Sequence, residues 1–127
     1  AVLLLGGYAG ASTVEYAGDG VGDFAAADPV ANPTTLMGTG AESVVTLINA
    51  GASVVEGFRI TGGGGSTTNL PNASNGGGVY ILGGAPTLRN NTIDANDPTR
   101  TEGITTLGGG IFADDAAVTI ENNVISM

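Results

Sequence analysis

The sequence predicts an all-β solenoid of parallel strands, with coils of about 32 residues that include loop insertions. Three observations point there. Glycine fills 23 of 127 positions, against a usual share of roughly 7%. Short runs rich in Val, Ile, Leu and Thr alternate with Gly, Asn, Asp and Pro, which is strand-and-turn punctuation. The same motifs return at a fixed spacing, the signature of a repeat architecture.

The repeat is clearest in the second half. Gly76-Gly77-Gly78-Val79-Tyr80 matches Gly108-Gly109-Gly110-Ile111-Phe112 at an offset of 32 residues. At that offset Ala85-Pro86-Thr87-Leu88-Arg89-Asn90-Asn91-Thr92-Ile93 falls on Ala117-Val118-Thr119-Ile120-Glu121-Asn122-Asn123-Val124-Ile125. A third copy, Ala52 to Ile60, lies 33 residues upstream, and a weaker echo at 32 relates Leu4-Leu5-Gly6 to Leu36-Met37-Gly38. The reading is therefore one domain over 1–127, with units at about 1–33, 34–66, 67–98 and 99–127. Each unit holds two or three strands of about five residues, and Leu70 with Ile104 or Leu107 marks a short third strand.

One such unit cannot close a core, but stacked units bury equivalent residues in columns. Val55, Leu88 and Ile120 form one expected column, and Ile60, Ile93 and Ile125 another. Phe58 reads as core. Asn90 over Asn122 reads as an inward asparagine ladder at a turn. Glu56, Arg89 and Glu121 fall on equivalent outward positions of three coils about 4.8 Å apart. Arg89 is expected between two carboxylates, an arrangement that fixes register more than it stabilises.

Composition removes many functions. Cys and His are absent, so there is no disulfide, no thiol nucleophile, no imidazole base and no His or Cys metal site. A net charge of -9, with three arginines and no lysine, argues against nucleic acid and against anionic membrane surfaces. Ala1 to Leu5 is too short and lacks the basic start of a signal peptide, and no segment reaches the roughly 20 apolar residues of a membrane helix. A chain that begins without Met is expected to be processed or part of a longer one.

The sequence resembles right-handed parallel β-helix repeat proteins of bacterial surfaces and secretions, similar to the polymorphic outer-membrane and pectate-lyase-like repeats. The resemblance rests on Leu5-Gly6-Gly7-Tyr8-Ala9-Gly10, Asp28-Pro29-Val30-Ala31-Asn32-Pro33-Thr34, Val55 to Gly63, Gly76 to Tyr80 and the two Asn-Asn strands. It implies a right-handed helix and an extracellular or cell-surface setting.

Enzymes on that fold use carboxylates from neighbouring coils, yet here no two carboxylates stack. Asp94 aligns with Thr61 and Ser126, Asp114 with Leu82, and Asp115 with Gly83. Arg89, charge-paired and always protonated, makes a poor base. No catalytic residue and no cofactor is assigned. The weak metal candidates are Asp94, Asn96 and Asp97, oxygen donors of the kind Ca2+ takes, with Glu102 nearby and Asp19 to Asp23 as a looser version. Turn-making by Asp and Asn explains both stretches more simply. The glycine runs lack the lysine of a phosphate loop. Asn72-Ala73-Ser74 and Asn90-Asn91-Thr92 are glycosylation sequons, and the aromatic residues are too dispersed for a sugar-stacking platform.

The ends carry the functional expectation. Val2, Leu3, Leu4 and Leu5 at one end, and Ile120 and Ile125 at the other, lie in strands with no covering helix and no edge lysine. An end-to-end contact that does not close makes a filament. The expected function is a non-enzymatic extracellular structural protein of the bacterial surface, a self-assembling homopolymer without nucleic-acid or membrane partners. The alternative is a carbohydrate-binding or polysaccharide-processing β-helix segment of a larger adhesin-like protein.

Overall fold

A computed structural model describes residues 1–8, 27–67, 73–98 and 105–127. Asp19 to Asp23, Leu70, Asn72, Arg100, Glu102 and Ile104 lie outside the described residues. Among the described residues the secondary structure is all strand, with no helix. The strands are β1 (Leu3–Leu5), β2 (Thr34–Met37), β3 (Val45–Ile48), β4 (Val54–Glu56), β5 (Phe58–Thr61), β6 (Ala73–Asn75) and β7 (Val79–Leu82). They continue as β8 (Thr87–Arg89), β9 (Thr92–Asp94), β10 (Thr105–Leu107), β11 (Ile111–Asp114), β12 (Thr119–Glu121) and β13 (Val124–Ile125). At two to four residues each, they are shorter than the expected five.

These strands form four sheets, ordered β1-β4-β8-β12, β2-β5-β9-β13, β6-β10 and β3-β7-β11. Every ladder in them is parallel. From β4 onward the chain takes a strand in the first sheet, then the second, third and fourth, and returns to the first one position along. Each such passage is here termed a circuit: β1 to β3, β4 to β7, β8 to β11, and β12 with β13. Parallel strands cannot be joined by a tight hairpin, and here the rest of a circuit serves as the crossover.

The register follows the repeat. Val79 pairs with Ile111 and Tyr80 with Phe112. Val55 pairs with Leu88, and Leu88 with Ile120. Ile60 pairs with Ile93, and Ile93 with Ile125. Leu4 extends the first column and Leu36 the second. That placement corrects the echo between Leu4-Leu5-Gly6 and Leu36-Met37-Gly38, because β1 and β2 belong to different sheets. Leu4 lies beside Val55 and Leu36 beside Ile60, so residues between β1 and β2 break the 32-residue phase. Leu107 falls in β10, one of the two short strands of the third sheet.

After β1 and β2 the left-handed residue comes some way past the strand, at Gly7 and Gly40. From β3 to β12 each strand is kept short by a left-handed residue directly after it, at the same phase in successive circuits. After the first sheet it is Gly57, Asn90 or Asn122; after the second, Gly62 or Ala95. After the third it is Gly76 or Gly108; after the fourth, Asn49, Gly83 or Asp115. Such residues end a strand without a long loop, and Gly, Asn and Asp tolerate the conformation best. Ala95, with φ 48°, lacks that tolerance. Ala95→Gly is expected to raise stability by up to about 1 kcal/mol, measured as a shift in the urea midpoint. An unchanged or lower midpoint would count against strain at this corner.

The interior is narrow and apolar. Val55, Phe58, Ile60, Val79, Ile81, Leu88 and Ile93 form its cluster, with Leu36, Val44, Val45, Leu47, Ile111, Ala116 and Val118 packed against it. Ile60, Ile81, Leu88 and Ile93 are fully buried, each contributing about 1.5–3 kcal/mol of transfer free energy. The columns are complete only in the middle circuits. Their ends reach the surface.

Candidate functional site

The corner between the first and second sheets is held by asparagine, but not by the expected one. Asn90 is exposed at φ 55° and Asn122 is exposed at φ 51°, so neither forms an inward ladder. Each occupies the left-handed position that Gly57 fills one circuit earlier, and that backbone turns the side chain outward. The inward residue is the next one. Asn91, 2% exposed, accepts at Oδ1 from the Phe58 N–H (3.0 Å) and donates from Nδ2 to the Val55 carbonyl (3.0 Å). Asn123 repeats this one circuit on. Its Oδ1 accepts from the Asn91 N–H (2.9 Å) and its Nδ2 donates to the Leu88 carbonyl (2.8 Å). Asn91 Nδ2 also donates to Asn123 Oδ1, at 3.0 Å, which links the two carboxamides.

Asn96 does the same at the next corner. Its Oδ1 accepts from the Gly63 N–H at 2.9 Å, and its Nδ2 donates to the Ile60 carbonyl at 2.9 Å. In each case the capped groups are the carbonyl of residue i and the N–H of residue i+3, around a left-handed residue at i+2. A corner cannot pair these groups within its own strand, so the carboxamide of the next circuit satisfies them.

This geometry also disperses the oxygen-donor cluster. Asn96 is buried in its cap, while Asp97 is exposed. Asp94 is clasped by Arg59, whose Nε lies 3.1 Å from both carboxylate oxygens and whose Nη2 lies 2.9 Å from Oδ2. Among the described residues no group of three His, Cys, Asp or Glu gathers where it could hold a metal. The Arg59–Asp94 pair is diagonal, since Arg59 registers on Thr92 and Asp94 on Thr61. Comparison of equivalent repeat positions cannot find such a pair. Side-chain hydrogen bonds to Asp94, then Coulomb attraction, raise the Arg59 pKa further, against a small opposing desolvation. A raised arginine pKa stabilises at every pH below the arginine range and ceases to only in strong alkali. The arginine side of this pair therefore makes no pH switch.

In the charged column, Arg89 Nε meets Glu56 Oε2 at 2.7 Å. Asn90 Nδ2 donates to the other oxygen of Glu56 at 2.8 Å. Glu121 registers beside Arg89 but takes no ion pair with it, because the guanidinium turns toward Glu56. The expected two-sided clasp is one-sided. As a partly exposed pair it contributes about 1 kcal/mol at most.

Two end faces remain. At one, the edge strands β1, β2 and β3 leave Val2, Leu3, Leu4 and Leu5 exposed. Leu4, Leu36, Val44, Val45, Leu47 and Val55 help line a cleft there of about 660 Å³. At the other, Ile120 is 47% and Ile125 50% exposed. These two belong to the same columns as Leu4 and Leu36, so both faces present the apolar cross-section of one core. Tyr80 is buried, its ring stacked on Phe112 with centroids 5.5 Å apart, so these two aromatics are paired rather than dispersed. Comparison with protein-family models, with curated proteins and with solved structures finds no match.

Proposed function

We propose that this chain is a non-enzymatic structural module of the bacterial exterior, a right-handed parallel β-helix akin to bacterial surface repeat proteins, whose end faces join copies head to tail. The supporting observation is the match between the faces: Leu4 and Leu36 at one end continue the columns that finish in Ile120 and Ile125 at the other. Stacking would bury these side chains and pair the free edges of β1 and β2 with those of β12 and β13, as in strand addition. The ion pairs favour the non-enzymatic reading, since Asp94 and Glu56 are each engaged by an arginine.

Head-to-tail fibres are the expected assembly. Negative-stain microscopy and sedimentation velocity of the purified chain over a wide concentration range test this. Monomers at the highest concentration would overturn the assembly, and turnover of an acidic polysaccharide lost in Asp94→Ala would overturn the non-enzymatic assignment.

A further inference from the structure

We infer that Asn90 accepts an N-linked glycan, with a nucleotide-activated hexose as donor, and that the folded chain presents this sequon while withholding the other. The inference concerns the flank of the coil and does not rest on the stacking reading.

An N-linked sugar needs an asparagine followed two residues on by Ser or Thr, with no proline between them. The sequence offers Asn72-Ala73-Ser74 and Asn90-Asn91-Thr92, while Pro33 bars Asn32-Pro33-Thr34. The fold treats the two hydroxyls differently. Ser74 is buried, and its Oγ donates to the Gly64 carbonyl at 2.8 Å, so that hydroxyl is closed to a transferase.

At the other sequon the left-handed corner sorts three residues by direction. Asn91 turns inward into its cap. Asn90, at φ 55°, is exposed and turned outward. Thr92 stands outward too, because it registers on exposed Arg59 and alternates with buried Ile93. Asn90 and Thr92 line one surface cleft of about 210 Å³, whose wall includes Val30 and Pro33. The amide and the hydroxyl that must be read together therefore open on one side of the coil. Asn90 is exposed there although circuits flank it on both sides, since β8 lies between β4 and β12.

Glu56 steadies the acceptor. Asn90 Nδ2 donates to Glu56 Oε1 at 2.8 Å, and a substituted amide keeps one N–H for that bond. Transfer forms a bond from Nδ2 to the anomeric carbon of the hexose. The bond from that carbon to the diphosphate breaks, its electron pair leaves with the nucleoside diphosphate, and a base of the transferase takes the Nδ2 proton. Val30 and Pro33 then offer the first sugar an apolar wall. Asn122 is an internal control: it is exposed at φ 51°, but Val124 stands where Thr92 does one circuit earlier.

The folded chain is incubated with UDP-glucose and a soluble N-glycosyltransferase that reads Asn-x-Ser/Thr, digested with trypsin, and sequenced by mass spectrometry. Cleavage at Arg59, Arg89 and Arg100 places Asn72 in Ile60–Arg89 and Asn90 in Asn90–Arg100. The expected result is hexose on Asn90, with none on Asn72 or Asn122. Thr92→Val, which copies Val124 of the next circuit and so suits the strand, should abolish it, and Thr92→Ser should keep it. A synthetic peptide of Asn69 to Gly78 should accept the sugar at Asn72, because its Ser74 hydroxyl is open outside the fold. An unmodified folded chain, hexose on Asn72 or Asn122 of that chain, or modification that survives Thr92→Val would each overturn the assignment. A peptide that stays unmodified would overturn the withholding of Asn72 by the fold.

Discussion

Asn91→Ala is expected to lower the unfolding free energy by about 3–5 kcal/mol, whereas Asn90→Ala should cost about 1 kcal/mol or less. The two residues are adjacent, identical and polar, so only their surroundings separate them. Removing the Asn91 carboxamide strands the Phe58 N–H and the Val55 carbonyl in the interior, at about 1–3 kcal/mol for each unpaired group. It also removes a donor to the Asn123 oxygen, so the neighbouring cap loosens. Asn91→Leu restores volume without a hydrogen bond and should recover little. Asn90 loses only a surface contact to Glu56; Asn90→Gly, which relieves the left-handed backbone, should be near neutral. Urea unfolding of the four variants tests this, and similar losses for Asn90→Ala and Asn91→Ala would refute the inward assignment.

That pair shows what a sequence of this kind discloses. The columns of Val55, Leu88, Ile120 and of Ile60, Ile93, Ile125 were readable because stacking turns an offset into a spatial contact. Which asparagine faces inward was not read from the offset, since both positions recur with the same spacing. The deciding signal was present nonetheless: Gly57 replaces the first asparagine of the pair and Phe58 the second, and Gly exchanges with Asn where the backbone is left-handed. The Arg59–Asp94 clasp stayed hidden because repeat alignment compares equal phases and this contact joins unequal ones. The first circuit misled for a third reason. Its first two strands, β1 and β2, are separated by residues outside the repeat, so a chance Leu-x-Gly echo coincided with the expected phase while the true partners lay elsewhere.

Gly63→Ala is expected to be as damaging as the loss of a core side chain, about 3 kcal/mol, while Gly109→Ala should be harmless. Neither residue has a left-handed φ, so an alanine is conformationally acceptable at both, and the difference is one of space. A Cβ on Gly63 would be built into the Gly77 carbonyl oxygen and would approach Val44 Cγ2 to 2.8 Å. The Gly77 carbonyl also accepts from the Val44 N–H, and the Gly63 N–H is the group that Asn96 caps. Moving Gly63 aside therefore disturbs the bonds of three circuits at once. At Gly109 the nearest atoms, the Asn96 oxygen and Pro98 Cδ, are 4.0 Å from such a Cβ. Reduced freedom of the unfolded chain should then stabilise Gly109→Ala by about 0.4–1 kcal/mol. Gly77, the equivalent residue one circuit earlier, is intermediate, since its Cβ would meet the Gly109 carbonyl at 2.5 Å. The tolerance of a glycine in these runs thus depends on whether another circuit lies against it. Thermal or urea midpoints that fall equally for Gly63→Ala and Gly109→Ala would mean that these glycines serve the corner's own backbone and not the close approach of neighbouring circuits.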